Sequence, residues 1–107
     1  MKTKMLATLY PGASKKVPWF WKSSDVNGTI EIVGGQLVFT AKLLGVIRMK
    51  GYDFQLPLIE IKSLDYLTLN LILPWGLCIT MKDGQEYVFG SLNRKGLYEM
   101  ISVALWQ

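Results

Sequence analysis

Apolar and polar residues alternate along most of this chain with a period of two, the signature of half-buried strands, and the period lengthens toward 3.6 only after Asn93. The clearest stretch runs from Thr29 to Thr40, where Gly34-Gly35 divides two strand-like halves. With these glycines as a two-residue loop, Ile32 falls opposite Leu37 and Ile30 opposite Phe39, so one face of the hairpin is wholly apolar. A second hairpin is expected over Leu77 to Phe89, around Asp83-Gly84. A two-residue loop there separates Tyr87 and Phe89 from Leu77 and Ile79. A three-residue loop, Lys82-Asp83-Gly84 with Gly84 at positive φ in a bulge, puts all four on one face and is the preferred register.

Other strands follow from the same rule. Met5 to Tyr10 reads as a first strand, and Pro11 to Asn27 as a loop with an aromatic centre. Val46 to Met49 and Tyr52 to Leu56 form one bent or two short strands around Gly51, ended by Pro57, which cannot donate to a ladder. Leu58 to Leu67 alternates loosely, with Ile59, Ile61 and Leu64 apolar. Leu67 to Leu73 is more hydrophobic and is expected to end in a turn at Pro74-Trp75-Gly76. From Asn93, a credible N-cap, Leu97, Met100, Ile101, Ala104 and Leu105 share one helical face.

The expected fold is therefore mainly β, with about seven strands and one C-terminal helix. That order resembles the pleckstrin-homology-like barrel, which implies two orthogonal antiparallel sheets with the helix plugging an open end. An OB-fold is the alternative, but its helix normally comes between the third and fourth strands. No helical period appears there in this chain.

Three pieces resemble a GRAM domain of the pleckstrin-homology-like superfamily, including its small bacterial relatives. They are the glycine-led strand Gly35 to Thr40, the apolar-Pro-Leu step into an isoleucine-bearing strand over Phe54 to Leu64, and Leu77 to Phe89 ahead of the helix. The resemblance covers residues 28–106, and the loop at 11–27 has no counterpart in it. It implies a noncatalytic module that binds membrane lipids or protein segments, with no active site and no cofactor. Phosphoinositide-binding members of the superfamily carry basic residues on the first two strands and the loop between them. Lys15, Lys16 and Lys22 lie in a comparable stretch.

Composition narrows the chemistry further. The 107 residues suit a single domain, and Cys78 alone among them is a cysteine, placed in an apolar run where a small buried hydrophobe is expected. There is no histidine, which removes Ser-His and Cys-His nucleophilic systems and, with one cysteine, ordinary structural zinc. Carboxylates are scattered singly; Asp53, Glu60 and Asp65 could meet only through the fold, and solvated strand faces account for them. No catalytic or metal-binding residue is assigned.

Charge is informative by position. The formal net charge is +4, and residues 1–27 hold all of it, with Lys2, Lys4, Lys15, Lys16 and Lys22 against Asp25. Lys15, Lys16, Trp19, Trp21 and Lys22 form a basic, aromatic segment suited to an anionic membrane surface, where indole rings favour the headgroup level and each lysine adds about 1 kcal/mol. The bland reading is that one or more of these rings caps the core. Leu73 and Trp75, at the expected turn, suit a protein interface or self-association into a homo-oligomer. Nucleic acid is disfavoured because residues 28–107 carry balanced charge. No apolar run approaches ~18 residues, and Met5 to Tyr10 is shorter than a secretory core of ~7 to 15. The expectation is a cytoplasmic binding or scaffolding module acting through protein contacts and self-association, with peripheral membrane attachment as the alternative.

Overall fold

The computed structural model describes residues 4–11, 26–43, 47–48, 53–69 and 73–105. Among the described residues, eight strands precede one helix: β1 (Lys4–Leu9), β2 (Val26–Val33), β3 (Gln36–Leu43), β4 (Ile47–Arg48), β5 (Phe54–Pro57), β6 (Ile61–Leu69), β7 (Leu73–Met81), β8 (Glu86–Gly90) and α1 (Arg94–Leu105). The sheet order is β4-β3-β2-β1-β8-β7-β6, with β5 also on β3, and every pairing is antiparallel. The two expected orthogonal sheets are not separate among the described residues: β1 pairs with both β2 and β8, which joins the strands into one sheet. Among the described residues β5 and β6 share no ladder, so the sheet does not close.

Both hairpins have the expected registers. Ile30 pairs with Phe39, Ile32 with Leu37 and Val33 with Gln36, and Gly34 and Gly35 both take positive φ, 55° and 77°. This is the backbone that a two-residue turn needs to follow strand twist. At the second hairpin Leu77 pairs with Phe89 and Ile79 with Tyr87. The Gly84 N–H donates to the Met81 carbonyl at 3.0 Å, the Met81 N–H donates to the Gln85 carbonyl at 2.8 Å, and Gly84 sits at φ 93°. The extra residue is what keeps Leu77, Ile79, Tyr87 and Phe89 on one side.

The sheet must curl strongly, because β5 and β3 meet β8 across the core. Along the pairing order β5 is four strands from β8, roughly 19 Å in a flat sheet. Yet the Phe54 and Tyr87 ring centroids are 5.2 Å apart and those of Phe39 and Phe89 are 5.6 Å apart. Phe39, Phe89, Ile30, Leu37, Leu77 and Ile79 are fully buried in one core, and Leu97, Met100 and Ile101 of α1 complete it. The helix packs on β7 and on the short 3-10 turn Leu58–Glu60 that links β5 to β6. Asn93 caps it as expected, its Oδ1 accepting the Gly96 N–H at 3.1 Å.

Two expectations along this path are corrected. Leu58 to Glu60 is a 3-10 turn rather than the start of a strand, set by Pro57 at φ −61°, and Ile59 is 76% exposed instead of facing the core. The register then shifts between Ile61 and Ser63, which changes parity and lets both Ile61 and Leu64 face inward. That bulge explains the loose alternation seen in the sequence. The second correction concerns Pro74-Trp75-Gly76, which is part of β7 and not a turn; Leu73, ahead of it, already pairs with Leu69. Leu67 pairs with Gly76 and Leu69 with Leu73, so β7 holds one residue more than β6 over this step. A bulge is a place where a sheet tolerates proline, which has no N–H to donate.

Candidate binding edge on the first strand

In an antiparallel ladder the backbone groups of successive residues turn to opposite sides. The Tyr10 N–H donates to the Val88 carbonyl at 2.9 Å, and Thr8 lies opposite Gly90 in the same register, so the even-numbered residues of β1 turn toward β8. Met5, Ala7 and Leu9 therefore turn toward β2, opposite Ile30, Gly28 and Val26. β8 stops at Gly90, where the chain leaves to begin α1. Among the described residues, no strand continues the β8 ladder alongside Lys4 and Leu6. Their amide and carbonyl groups face a slot instead.

The corner Ser91–Asn93 forms the far wall of that slot. The Ser91 hydroxyl approaches the Leu6 carbonyl at 3.5 Å, a contact at the limit of hydrogen bonding, and also accepts the Asn93 N–H at 3.2 Å. On the outer side of the sheet, Leu6 is 68% exposed, and Leu92 on the corner is 86% exposed. An open groove of about 710 Å³ takes in this region and extends beyond it, lined by Lys4 to Thr8, by Asn27 and Gly28 on β2, and by Gly90 to Asn93. Among the described residues its lining includes one lysine, Lys4, and no carboxylate. The arrangement offers two backbone donors and two acceptors in a row, apolar side chains beside them and a positive charge at one end.

Other edges are blunted. On β6, the Arg94 guanidinium donates from Nη1 to the Leu67 carbonyl at 3.1 Å and lies 4.3 Å from the centre of the Tyr66 ring, which itself packs on Tyr98. The β5 edge ends in Pro57, and β4 is two residues long. Short edges, prolines and covering side chains are the usual ways in which a sheet avoids unwanted pairing. Among the described residues, the Lys4–Leu6 edge has only the lysine and the 3.5 Å approach of the Ser91 hydroxyl.

Lys15, Lys16, Trp19, Trp21 and Lys22 all belong to the connection between β1 and β2 and lie outside the described residues. The pair Leu9 and Val26 fixes where this connection leaves and re-enters the sheet. Leu73 and Trp75 fall within β7, and their side chains lie outside the description; the turn that suggested them as an interface is not there. Asp53, Glu60 and Asp65 are not brought together. Asp53 Oδ1 accepts the Ala41 N–H at 2.9 Å, Glu60 is in the 3-10 turn, and Asp65 lies 3.4 Å from the Ser63 hydroxyl on β6. Among the described residues no three His, Cys, Asp or Glu side chains are grouped as metal ligands.

Cys78 is fully buried as expected, but with Val88, Tyr10 and Leu67 on the face opposite the main core. Among the described residues no helix is long and apolar enough to cross a membrane. The β1 slot escaped the sequence analysis because it depends on how far β8 runs beside β1. The one local signal is Asn93, whose helix start draws the chain away from the sheet before the ladder is complete.

No family model matches this chain, and no curated protein does. Among solved structures, the C-terminal domain of an unknown protein from Leishmania infantum has a similar fold. Its TM-score is 0.74 at 12% sequence identity, over 97% of this chain and 82% of that one. The likeness concerns the fold alone, since function depends on the residues a fold carries.

Proposed function

We propose that this chain is a noncatalytic binding module of GRAM-like type that works through protein contacts. The observation that carries this reading is the row of backbone groups at Lys4 and Leu6, which have no strand beside them on the β8 side among the described residues and are flanked by the exposed Leu6 and Leu92 side chains. An open edge beside apolar surface is the ordinary substrate for recognition by main-chain pairing. Selection from a displayed library of random peptides tests it. Peptides that bind the chain and are lost on a Leu6→Glu, Leu92→Glu double variant that still folds support the reading. A library that yields no binder opposes it.

Peripheral attachment to an anionic membrane is a second reading, supported by the confinement of the +4 charge to residues 1–27 beside Trp19 and Trp21. Co-sedimentation with anionic and neutral vesicles tests it. Salt-sensitive binding to anionic vesicles, lost when Trp19 and Trp21 become alanine in a folded variant, favours attachment; no binding to either vesicle removes it.

A further inference from the structure

Resting on the protein-contact reading, we infer that the β1 edge takes an extended peptide segment of a partner protein, added antiparallel to β1 in the place that β8 vacates after Gly90. The ladder geometry fixes the register. The partner residue opposite Leu6 exchanges both backbone hydrogen bonds with it, replacing the 3.5 Å approach of the Ser91 hydroxyl to the Leu6 carbonyl. The residue two positions later does the same with Lys4. Residues directly opposite in a ladder project to the same face. The first partner side chain therefore lies beside Leu6 and Leu92 on the outer face, and the second beside Lys4.

The side-chain preference follows. An apolar residue opposite Leu6 covers two exposed leucines. A carboxylate opposite Lys4 meets the one charged side chain among the described residues of the lining. The recognised element is thus apolar-x-acidic in extended form, with main-chain hydrogen bonds supplying affinity and alternate side chains supplying specificity. A second copy of this chain fits less well, because its own β1 would bring a second Lys4 to the same short ladder, like charge to like charge.

The test is an NMR titration of the whole chain with a blocked peptide, acetyl-Thr-Val-Thr-Glu-Thr-amide. Amide shifts are expected at Lys4, Leu6 and the Ser91–Asn93 corner. Methylating the valine nitrogen, which faces β1, should weaken binding about tenfold or more, the effect of one lost hydrogen bond and the clash that replaces it. Methylating the threonine between valine and glutamate, which faces away, should leave affinity unchanged. A Lys4→Glu variant should reverse the preference, favouring a peptide with lysine in place of glutamate. No shift at Lys4 and Leu6 at millimolar peptide, or equal effects of the two methylations, overturns the inference. Library-selected peptides that bind elsewhere on the chain also overturn it while leaving the protein-contact reading intact. A library without binders removes that reading itself.

Discussion

The curl of the sheet can be tested through one pair of rings, Phe54 on β5 and Tyr87 on β8. Their centroids lie 5.2 Å apart, stacked at 28°, although four strand steps separate them along the pairing order. Phe54→Leu should cost about 1 to 2 kcal/mol, since the ring also packs on Phe39 and Phe89 at 5.4 and 6.2 Å. Tyr87→Leu loses its share of the same contact and the hydroxyl's hydrogen bond to Gln85 Oε1 at 3.0 Å. An aromatic pair of this geometry contributes about 0.5–1.5 kcal/mol beyond area burial, so the double variant should cost about 1 kcal/mol less than the sum of the singles. Urea unfolding of all four proteins measures it, and Tyr87→Phe, which keeps the ring, should retain the coupling. In a flat sheet the residues would stand roughly 19 Å apart, and the two changes would add to within about 0.3–0.5 kcal/mol. Additivity of that kind would refute the curled core.

Further predictions concern backbone fit and the helix. A Cβ at Gly28 would strike the Thr40 carbonyl oxygen and lie 2.9 Å from Phe39 Cζ, so Gly28→Ala should cost about 3 kcal/mol by forcing β2 and β3 apart, read as a lower urea midpoint. Asn93→Ala should cost about 1 kcal/mol by removing the cap on the Gly96 N–H. Gly96→Ala should come out near neutral, because the gain of about 1 kcal/mol in helix propensity is offset when the new methyl displaces the Asn93 side chain. Arg94→Met should cost about 1–2 kcal/mol, losing both the hydrogen bond to the Leu67 carbonyl and the contact with the Tyr66 ring. If Tyr66→Ala abolishes that penalty in a double variant, the ring carries it; if not, the carbonyl does.

Local chemistry made the hairpins and the helix legible. Gly34-Gly35 and Lys82-Asp83-Gly84 specify their own turns, and each turn fixes a register that the apolar faces confirm. Asn93 and the Leu97, Met100, Ile101 face did the same for α1. The errors arose where a bulge changes parity, at Ile61–Ser63 and around Pro74, because a shifted alternation looks from sequence like a weak strand or a turn. Long-range features were not legible. The curl depends on rings from strands three and four steps apart in the sheet order, and the open edge depends on where β8 stops against β1, pairings that no local pattern specifies. The basic, aromatic segment from Lys15 to Lys22 stood out in sequence, but lies outside the described residues.

The open edge itself is most directly tested by amide hydrogen exchange along β1, followed by NMR at dilute protein concentration. Amides turned toward β2, at Met5 and Ala7, and those turned toward β8, at Thr8 and Tyr10, should be protected, whereas those of Lys4 and Leu6 should exchange rapidly. Protection of Leu6 equal to that of Ala7 would mean that the edge is already paired, and would contradict the binding edge on which the proposed function rests.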